Sequence, residues 1–338
     1  MQDQTPIVSI DRLVKHFDIS GGTLDRIRFA NGRPYMKSTV VKAVNAVSFA
    51  IQPGETLSVV GESGCGKSTL ARTVIGLYRP NAGTVAFKGQ RIDHLSPRAM
   101  RPFRSRMQMI FQDPYASLNP RMTVRQILEE PVRFHQPGIK GEELQDRVAE
   151  VMRQVGVNPA WRTRYPHEFS GGQRQRISIA RALMVDPEFI VADEPISALD
   201  VSIQAQILNL LMDMQEKRNL TYLFISHDLS VVEHISSRVA VMYLGRVCEI
   251  APKATLFSNP LHPYTEALFS AIPRLGEQKP NHVKLTGEIP SPIQLPEGCV
   301  FHTRCRYADQ RCQKEIPDLV DVDNGARVAC HRVSERSR

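Results

Sequence analysis

Gly61, Glu62, Ser63, Gly64, Cys65, Gly66, Lys67 and Ser68 follow the spacing G-x-x-x-x-G-K-[ST], and Thr69 leads on into a helix-like stretch. Each residue type meets a need of a polyphosphate. Glycines let consecutive backbone N–H groups converge on phosphate oxygens, and a helix that starts there adds the positive end of its dipole. Lys67 is placed to reach the β- and γ-phosphates, and Ser68 to offer its hydroxyl to Mg²⁺. The implied ligand is a nucleoside triphosphate with Mg²⁺. A chance glycine-rich turn is the structural alternative. Against it stand the flanking elements: Thr56–Val60 is a short apolar, β-branched run that reads as a buried strand, and Leu70–Leu77 has helical composition.

A second apolar run, Phe189–Ala192, ends in Asp193-Glu194-Pro195. Such a run suits a central parallel strand, and its carboxyl end is where an α/β sheet gathers ligand groups. Asp193 is placed to hold Mg²⁺ through water, and Glu194 to polarise an attacking water.

Phe169-Ser170-Gly171-Gly172-Gln173, followed by Arg174-Gln175-Arg176, resembles the signature motif of ABC ATPases, with Phe in place of the usual Leu. The change falls on an apolar position and leaves the phosphate-facing residues intact. The resemblance implies an α/β fold: a RecA-like P-loop core with an antiparallel β subdomain and a helical subdomain. It also implies that Ser170, Gly171, Gly172 and Gln173 serve ATP bound to the opposite subunit, so that a working site needs a dimer. The remaining motifs stand in the family's order. Gln112 matches the glutamine loop that touches Mg²⁺ and water. Ser197-Ala198-Leu199-Asp200 matches the loop crossing the dimer interface. His227, after the apolar run Tyr222–Ile225, matches the switch histidine on the γ-phosphate. Phe17 is the candidate for stacking on adenine, with a strand-end core phenylalanine as the plain alternative. Tyr35 is a second candidate, within an apparent insertion from Asp18 to Thr39.

The elements that must position these residues divide the chain as follows. Residues 1–258 are the nucleotide-binding domain, with a helical subdomain over about 113–169 in which Leu144, Val148, Val151, Met152 and Val155 recur at helical spacing and Gly156 closes the helix. Val239–Ile250 reads as a final hairpin around Gly245. Residues 259–338 are an extension rich in proline, expected to be loop-rich with little apolar core of its own. Within it, Asn259-Pro260-Leu261-His262-Pro263-Tyr264-Thr265 and Gly287-Glu288-Ile289-Pro290 resemble the C-terminal extension of oligopeptide and dipeptide permease ATPases, nearest to their F-type subunit.

Of six cysteines, Cys65 and Cys248 read as structural. Cys299, Cys305, Cys312 and Cys330 fall together in the extension, with five, six and seventeen residues between them. The reducing cell interior disfavours disulfides, so this grouping suggests a metal site. The spacing by itself leaves an iron–sulfur cluster, zinc and plain thiols open, being unlike the close pairs of structural zinc. The family resemblance implies a [4Fe-4S] cluster, with zinc as its rival.

At 338 residues and 42% hydrophobic content, the chain can bury a sizeable core as one large and one small domain. No run approaches the length of a membrane span, and no signal peptide is evident, so a cytosolic chain is expected. A net charge of +8 permits nucleic-acid binding. Without a nucleic-acid motif, a basic surface beside nucleotide phosphates and an anionic inner leaflet is the plainer reading. The resemblance therefore implies an ATP-hydrolysing subunit of a bacterial di- or oligopeptide importer, peripheral on the cytoplasmic face of the inner membrane. The implied partners are a paralogous ATPase, two transmembrane permease subunits and, indirectly, an extracytoplasmic binding protein, with no nucleic acid. Importers of nickel, opines or haem precursors share this architecture and are the alternative within transport. A soluble ABC ATPase acting on nucleic acid is the alternative outside it.

Overall fold

The computed structural model describes residues 5–21, 26–30, 33–36, 38–271, 283 and 285–334. Its centre is made by three apolar runs that are buried at every position: Thr56–Val60, Phe189–Asp193 and Thr221–Ile225. They lie side by side in parallel, with Leu223 opposite both Leu57 and Val191. Met107–Ile110 continues the parallel sheet beyond Phe189–Asp193, and Arg238–Tyr243 continues it beyond Thr56–Val60. Strands buried on both faces need no alternation of apolar and polar residues, which is why these segments read as continuous hydrophobic runs. The few polar side chains inside them are satisfied: Thr56 Oγ1 donates to Gln215 Oε1 at 3.1 Å, and the Ser58 and Ser236 hydroxyls lie 2.6 Å apart.

Because these strands run the same way, the segments after Val60, Ile110, Asp193 and Ile225 emerge at one edge of the sheet. That edge carries the phosphate-binding pattern, Gln112, Glu194 and His227. A second, antiparallel sheet joins Val40–Ile51, Val8–Asp18, Ala82–Phe87 and Gln90–Arg91 in that order and brings Phe17 to the same edge. The helix after the phosphate loop runs from Lys67 to Val74, earlier at both ends than the composition predicts; Gly76, at φ +76°, turns the chain out of it.

The segment predicted to be helical contains Pro114–Ser117, Val124–His135, Gly141–Gln154 and two short 3-10 turns. Leu144, Val148, Val151 and Met152 form its buried face as their spacing predicts, and Gly156 follows at φ +71°. Thr123 and Gln126 cap the Val124–His135 helix reciprocally. Within it, the buried Glu129 carboxylate is clamped by Arg125 at 2.6 Å and Arg133 at 2.9 Å, one helical turn away on either side.

The C-terminal extension, expected to be loop-rich with little apolar core of its own, packs its buried side chains into a core shared with the strands of the cassette. The predicted hairpin forms between Arg238–Tyr243 and Arg246–Pro252, turning at Leu244 and Gly245, both at positive φ. Arg327–Val328 then pairs with Glu249 and Ile250, and Val320–Asp321 pairs with Arg327–Val328, so the extension completes the main sheet. Val300, Phe301 and Ala326 are buried in one cluster with Val60, Val241, Tyr243 and Tyr264, and Val328 is buried as well. Pro263, which reads as a breaker, is instead the first residue of the Pro263–Phe269 helix, where its missing N–H costs nothing.

His262 caps that helix: its Nδ1 accepts the Tyr264 N–H at 3.0 Å, and its own backbone N–H donates to Glu249 at 2.9 Å. The ring is 2% exposed, and burial pushes its pKa from 6.5 down to about 3. Below pH 6.5 the unfolded chain takes up a proton that folded His262 refuses until about pH 3, so folding stability falls by about 1.4 kcal/mol per pH unit through that window. Burial pushes the Glu249 carboxyl up, which acts in the opposite direction above its ordinary value. The difference between wild type and His262→Asn, which keeps a side-chain acceptor for the cap, isolates the histidine. Urea midpoints measured from neutral to acidic pH should fall less steeply for the variant; parallel slopes would contradict a neutral buried imidazole.

Candidate active site

Two glycines in the phosphate-binding loop are required by contact as well as by φ. A Cβ on Gly61, at φ +149°, would lie 2.1 Å from the Met242 carbonyl oxygen, and one on Gly66, at φ +104°, 2.0 Å from that of Ala43. The loop is therefore seated on the edges of both sheets. Lys67, on the first residue of its helix and 6% exposed, arches back over the loop: Nζ donates to the carbonyls of Gly61 at 2.7 Å and Glu62 at 3.1 Å. Ser68 Oγ donates to Asp193 Oδ1 at 2.7 Å, and Arg72 lies 3.5 Å from Asp193 Oδ2. Asp193 is fully buried, which pushes its carboxyl up. A hydroxyl and a carboxylate so placed are hard oxygen donors of the kind Mg²⁺ takes, and Ser68 and Asp193 fit that ion.

Glu194 adopts φ +47°, and its N–H donates to the Ile225 carbonyl at 3.1 Å. Its Oε2 is 3.2 Å from Gln112 Nε2 and 3.2 Å from His227 Nδ1. These three residues, carried by loops after three different strands, meet around one carboxylate. They line, with Phe17, Ser63, Gly64, Gly66, Lys67, Ser68 and Thr69, a cleft of about 590 Å³. A Cβ on Gly64 would meet nothing within 4 Å, so the loop faces open space there. Backbone donors, a lysine, a hydroxyl, an acid pair and a carboxylate flanked by Gln and His suit a triphosphate and its hydrolysis.

Phe17 lies at the other end of the cleft, edge-on to Tyr78 at 5.3 Å and opposite Val41 in the antiparallel ladder. Val41, Ala43 and Pro292 also line the cleft and were missed. Alternation along Val40–Ile51 could have suggested Val41 and Ala43. Pro292 comes from the extension, where its carbonyl accepts the Lys42 N–H at 3.0 Å, and no local signal points to it. The side chain of Tyr35 lies outside the described residues.

The signature residues are not in this cleft. Ser170 and Gln173 form a capping box at the start of the Gly171–Leu183 helix, and a Cβ on Gly172 would lie 2.5 Å from Ile203 Cγ2. Asp200 stands at the start of the neighbouring Val201–Arg218 helix without a side-chain cap, and Val201 beside it is 82% exposed. Signature and Asp200 thus share one exposed surface of the same chain.

Cys65 and Cys248 are buried, as their structural reading requires. Cys299, Cys305, Cys312 and Cys330 are free thiols around one small cavity of about 30 Å³. Among the described residues, however, no three His, Cys, Asp or Glu side chains stand close enough together to hold a metal ion. The expected four-cysteine metal site is therefore not preformed. Burial pushes all four thiols up, Cys299 to about 11. The donor set fits a thiolate-bound metal; the spacing of its members does not yet do so.

The fold and the cleft define an ATP-binding cassette with a P-loop ATPase site. Comparisons with known proteins agree. A profile described as ABC transporter matches residues 44–197, and one described as oligopeptide/dipeptide transporter, C-terminal region, matches residues 248–312. The chain is 52% identical to the oligopeptide transport ATP-binding protein AppF of Bacillus subtilis (strain 168), over 98% of this chain and 99% of that one. It is 47% identical to the dipeptide transport ATP-binding protein DppF of Escherichia coli (strain K12), over 98% and 96%. Among solved structures, the cassette MJ0796 in a dimeric post-hydrolysis state with ADP and Pi matches with a TM-score of 0.62 at 27% identity, over 73% of this chain and 98% of that one. The chain belongs to the ATP-binding proteins of the oligopeptide/dipeptide ABC transporters and is an ATPase of that family. No described helix is long and apolar enough to cross a membrane.

Proposed function

We propose that this ATPase powers the import of di- or oligopeptides through two separate membrane subunits, working from the cytoplasmic face of the inner membrane beside a paralogous ATPase. The observation that carries the reading is full-length similarity to peptide-transport ATP-binding proteins, which includes the C-terminal region named for them. Substrate is chosen elsewhere, by an extracytoplasmic binding protein, and nucleic acid plays no part. In this reading residues 1–258 form the nucleotide-binding domain, with the helical subdomain over about 113–169, and 259–338 the extension.

Two cassettes close head-to-tail in this reading, and the dimeric state of the ADP- and Pi-bound relative supports a pair. Ser170, Gly171, Gly172, Gln173 and Asp200 then face the partner's nucleotide, which accounts for their distance from the cleft of their own chain. Ser68 and Asp193, with Gln112, would hold Mg²⁺. Lys67 and the loop N–H groups stabilise charge on the transferring phosphoryl group. Glu194 orients the attacking water, and Gln112 and His227 hold the carboxylate in place. Phe17 stacks on adenine. Phe17→Ala should raise the Kd for ATP about 10-fold, the equivalent of one stacked base; a titration with a fluorescent ATP analogue reads this, and an unchanged Kd would move the stacking role to another aromatic.

The four extension cysteines are further proposed to hold a [4Fe-4S] cluster; they line one small cavity, and the thiols would have to draw together to bind it. Bound there, it would tie together the segments that carry them. Iron, sulfide and zinc analysis of anaerobically purified chain, with its visible spectrum, decides between cluster, zinc and free thiols. For transport itself, the ATPase complex would be reconstituted in liposomes with its membrane subunits and binding protein. Stimulation by peptide-loaded binding protein is expected; stimulation by nickel or another solute instead would replace the peptide assignment.

A further inference from the structure

Glu62 stands inside the phosphate-binding loop, yet its side chain is turned away to the C-terminal extension. Arg304 grips it in a two-pronged ion pair, Nη1 to Oε2 at 2.8 Å and Nη2 to Oε1 at 3.1 Å. The Arg304 side chain is 7% exposed, and that of Glu62 23%. The same residue is held through its backbone: its N–H donates to the Tyr264 hydroxyl at 3.0 Å, and its carbonyl accepts from Lys67 Nζ at 3.1 Å. Tyr264, Tyr243 and Phe301 pack with ring centroids 4.7 to 5.3 Å apart beneath this contact, and Tyr243 Oη lies 3.4 Å from Arg304 Nη1. Arg304 closes the short turn His302–Arg304 that lies between Cys299 and Cys305.

A paired guanidinium and carboxylate with two parallel hydrogen bonds fixes direction as well as distance. Removing one partner leaves the other poorly solvated, so the pair resists separation once formed. Glu62 immediately precedes Ser63 and Gly64, which line the cleft. We propose that Arg304 is a positioning residue for the phosphate-binding loop, acting through Glu62, and that the C-terminal extension thereby sets the affinity for nucleotide. The proposal rests on the ATP-binding reading of the cleft. Neither residue lines the cleft, so neither acts on the phosphates directly.

The test uses the full chain for binding and the assembled transporter for turnover. Arg304→Gln should raise the Kd for ATP about 10-fold, within the usual range of coupling between sites. The KM of the assembled ATPase should rise in step while kcat at saturating ATP stays close to wild type. Glu62→Gln, at a more exposed position, should raise the Kd for ATP to a similar extent even if the arginine variant folds poorly. The double variant should be no worse than either single one, because both remove one interaction. Arg304→Lys, with one prong, should fall between. Amide hydrogen exchange over Glu62–Lys67 should quicken in the variants, which a merely structural loss elsewhere in the extension would not produce. Unchanged Kd in folded Arg304→Gln and Glu62→Gln, or additive effects in the double variant, would overturn the proposal. If wild type failed to bind ATP under the same conditions, the reading of the cleft would fall instead.

Discussion

Glu194→Gln should lower ATP turnover of the assembled transporter by about 100-fold or more, the usual contribution of a group that handles a proton or orients water at the reacting centre. The substitution keeps the size and shape of the side chain and removes the charge. Glu194 is held at an unusual backbone conformation for a non-glycine residue, φ +47°, with its N–H tied to the Ile225 carbonyl. That geometry delivers one carboxylate oxygen to both Gln112 and His227 at 3.2 Å. ATP binding should survive, since Lys67, Ser68 and the loop are untouched. Single-turnover and steady-state rates, measured beside ATP affinity, separate the two. Loss of binding together with turnover would make Glu194 part of the binding site rather than the water-orienting group, and unimpaired turnover would remove it from the chemistry.

Phe301→Ala should destabilise the chain by about 3–5 kcal/mol, a large share of the ~5–15 kcal/mol that holds a typical domain together. The ring is 1% exposed and packs against Tyr243 and Tyr264, each at 5.3 Å, and His262 at 5.7 Å. Those partners come from the main sheet, a helix of the extension and its cap. Removing the ring leaves a cavity that an interior strand of the sheet on one side and a helix on the other cannot readily fill. Chemical denaturation should show one transition at a lower midpoint with an unchanged slope. A separate early transition, or a loss of less than about 1 kcal/mol, would mean that the extension folds independently of the cassette.

The grouping of the candidate residues in one cleft was legible in the chain because its requirements are local. A phosphate-binding loop needs particular residues at fixed offsets between a strand and a helix, and Gly61–Ser68 sits between Thr56–Val60 and Lys67–Val74. Glu194 and His227 were findable because each follows a largely apolar strand buried at every position, a pattern that buried parallel sheets impose. The signature was readable for the same reason: Ser170 and Gln173 are three residues apart and cap one helix.

The extension was misread where its structure depends on partners distant in sequence. Proline density suggested loops, but Arg327–Val328 finds its strand partner more than seventy residues earlier in Arg246–Pro252, and Pro263 opens a helix because His262 caps it. The spacing of Cys299, Cys305, Cys312 and Cys330 suggested a shared site, and the fold does gather them around one cavity. It does not bring them to metal-binding distance among the described residues. What the sequence alone determined was the chemistry of the cleft, because those groups are specified by residue type and short-range offset. What only the tertiary structure decided was who holds them. The Ser68–Asp193 and Glu62–Arg304 pairs span 125 and 242 residues, and only the packing of sheet and extension sets such contacts.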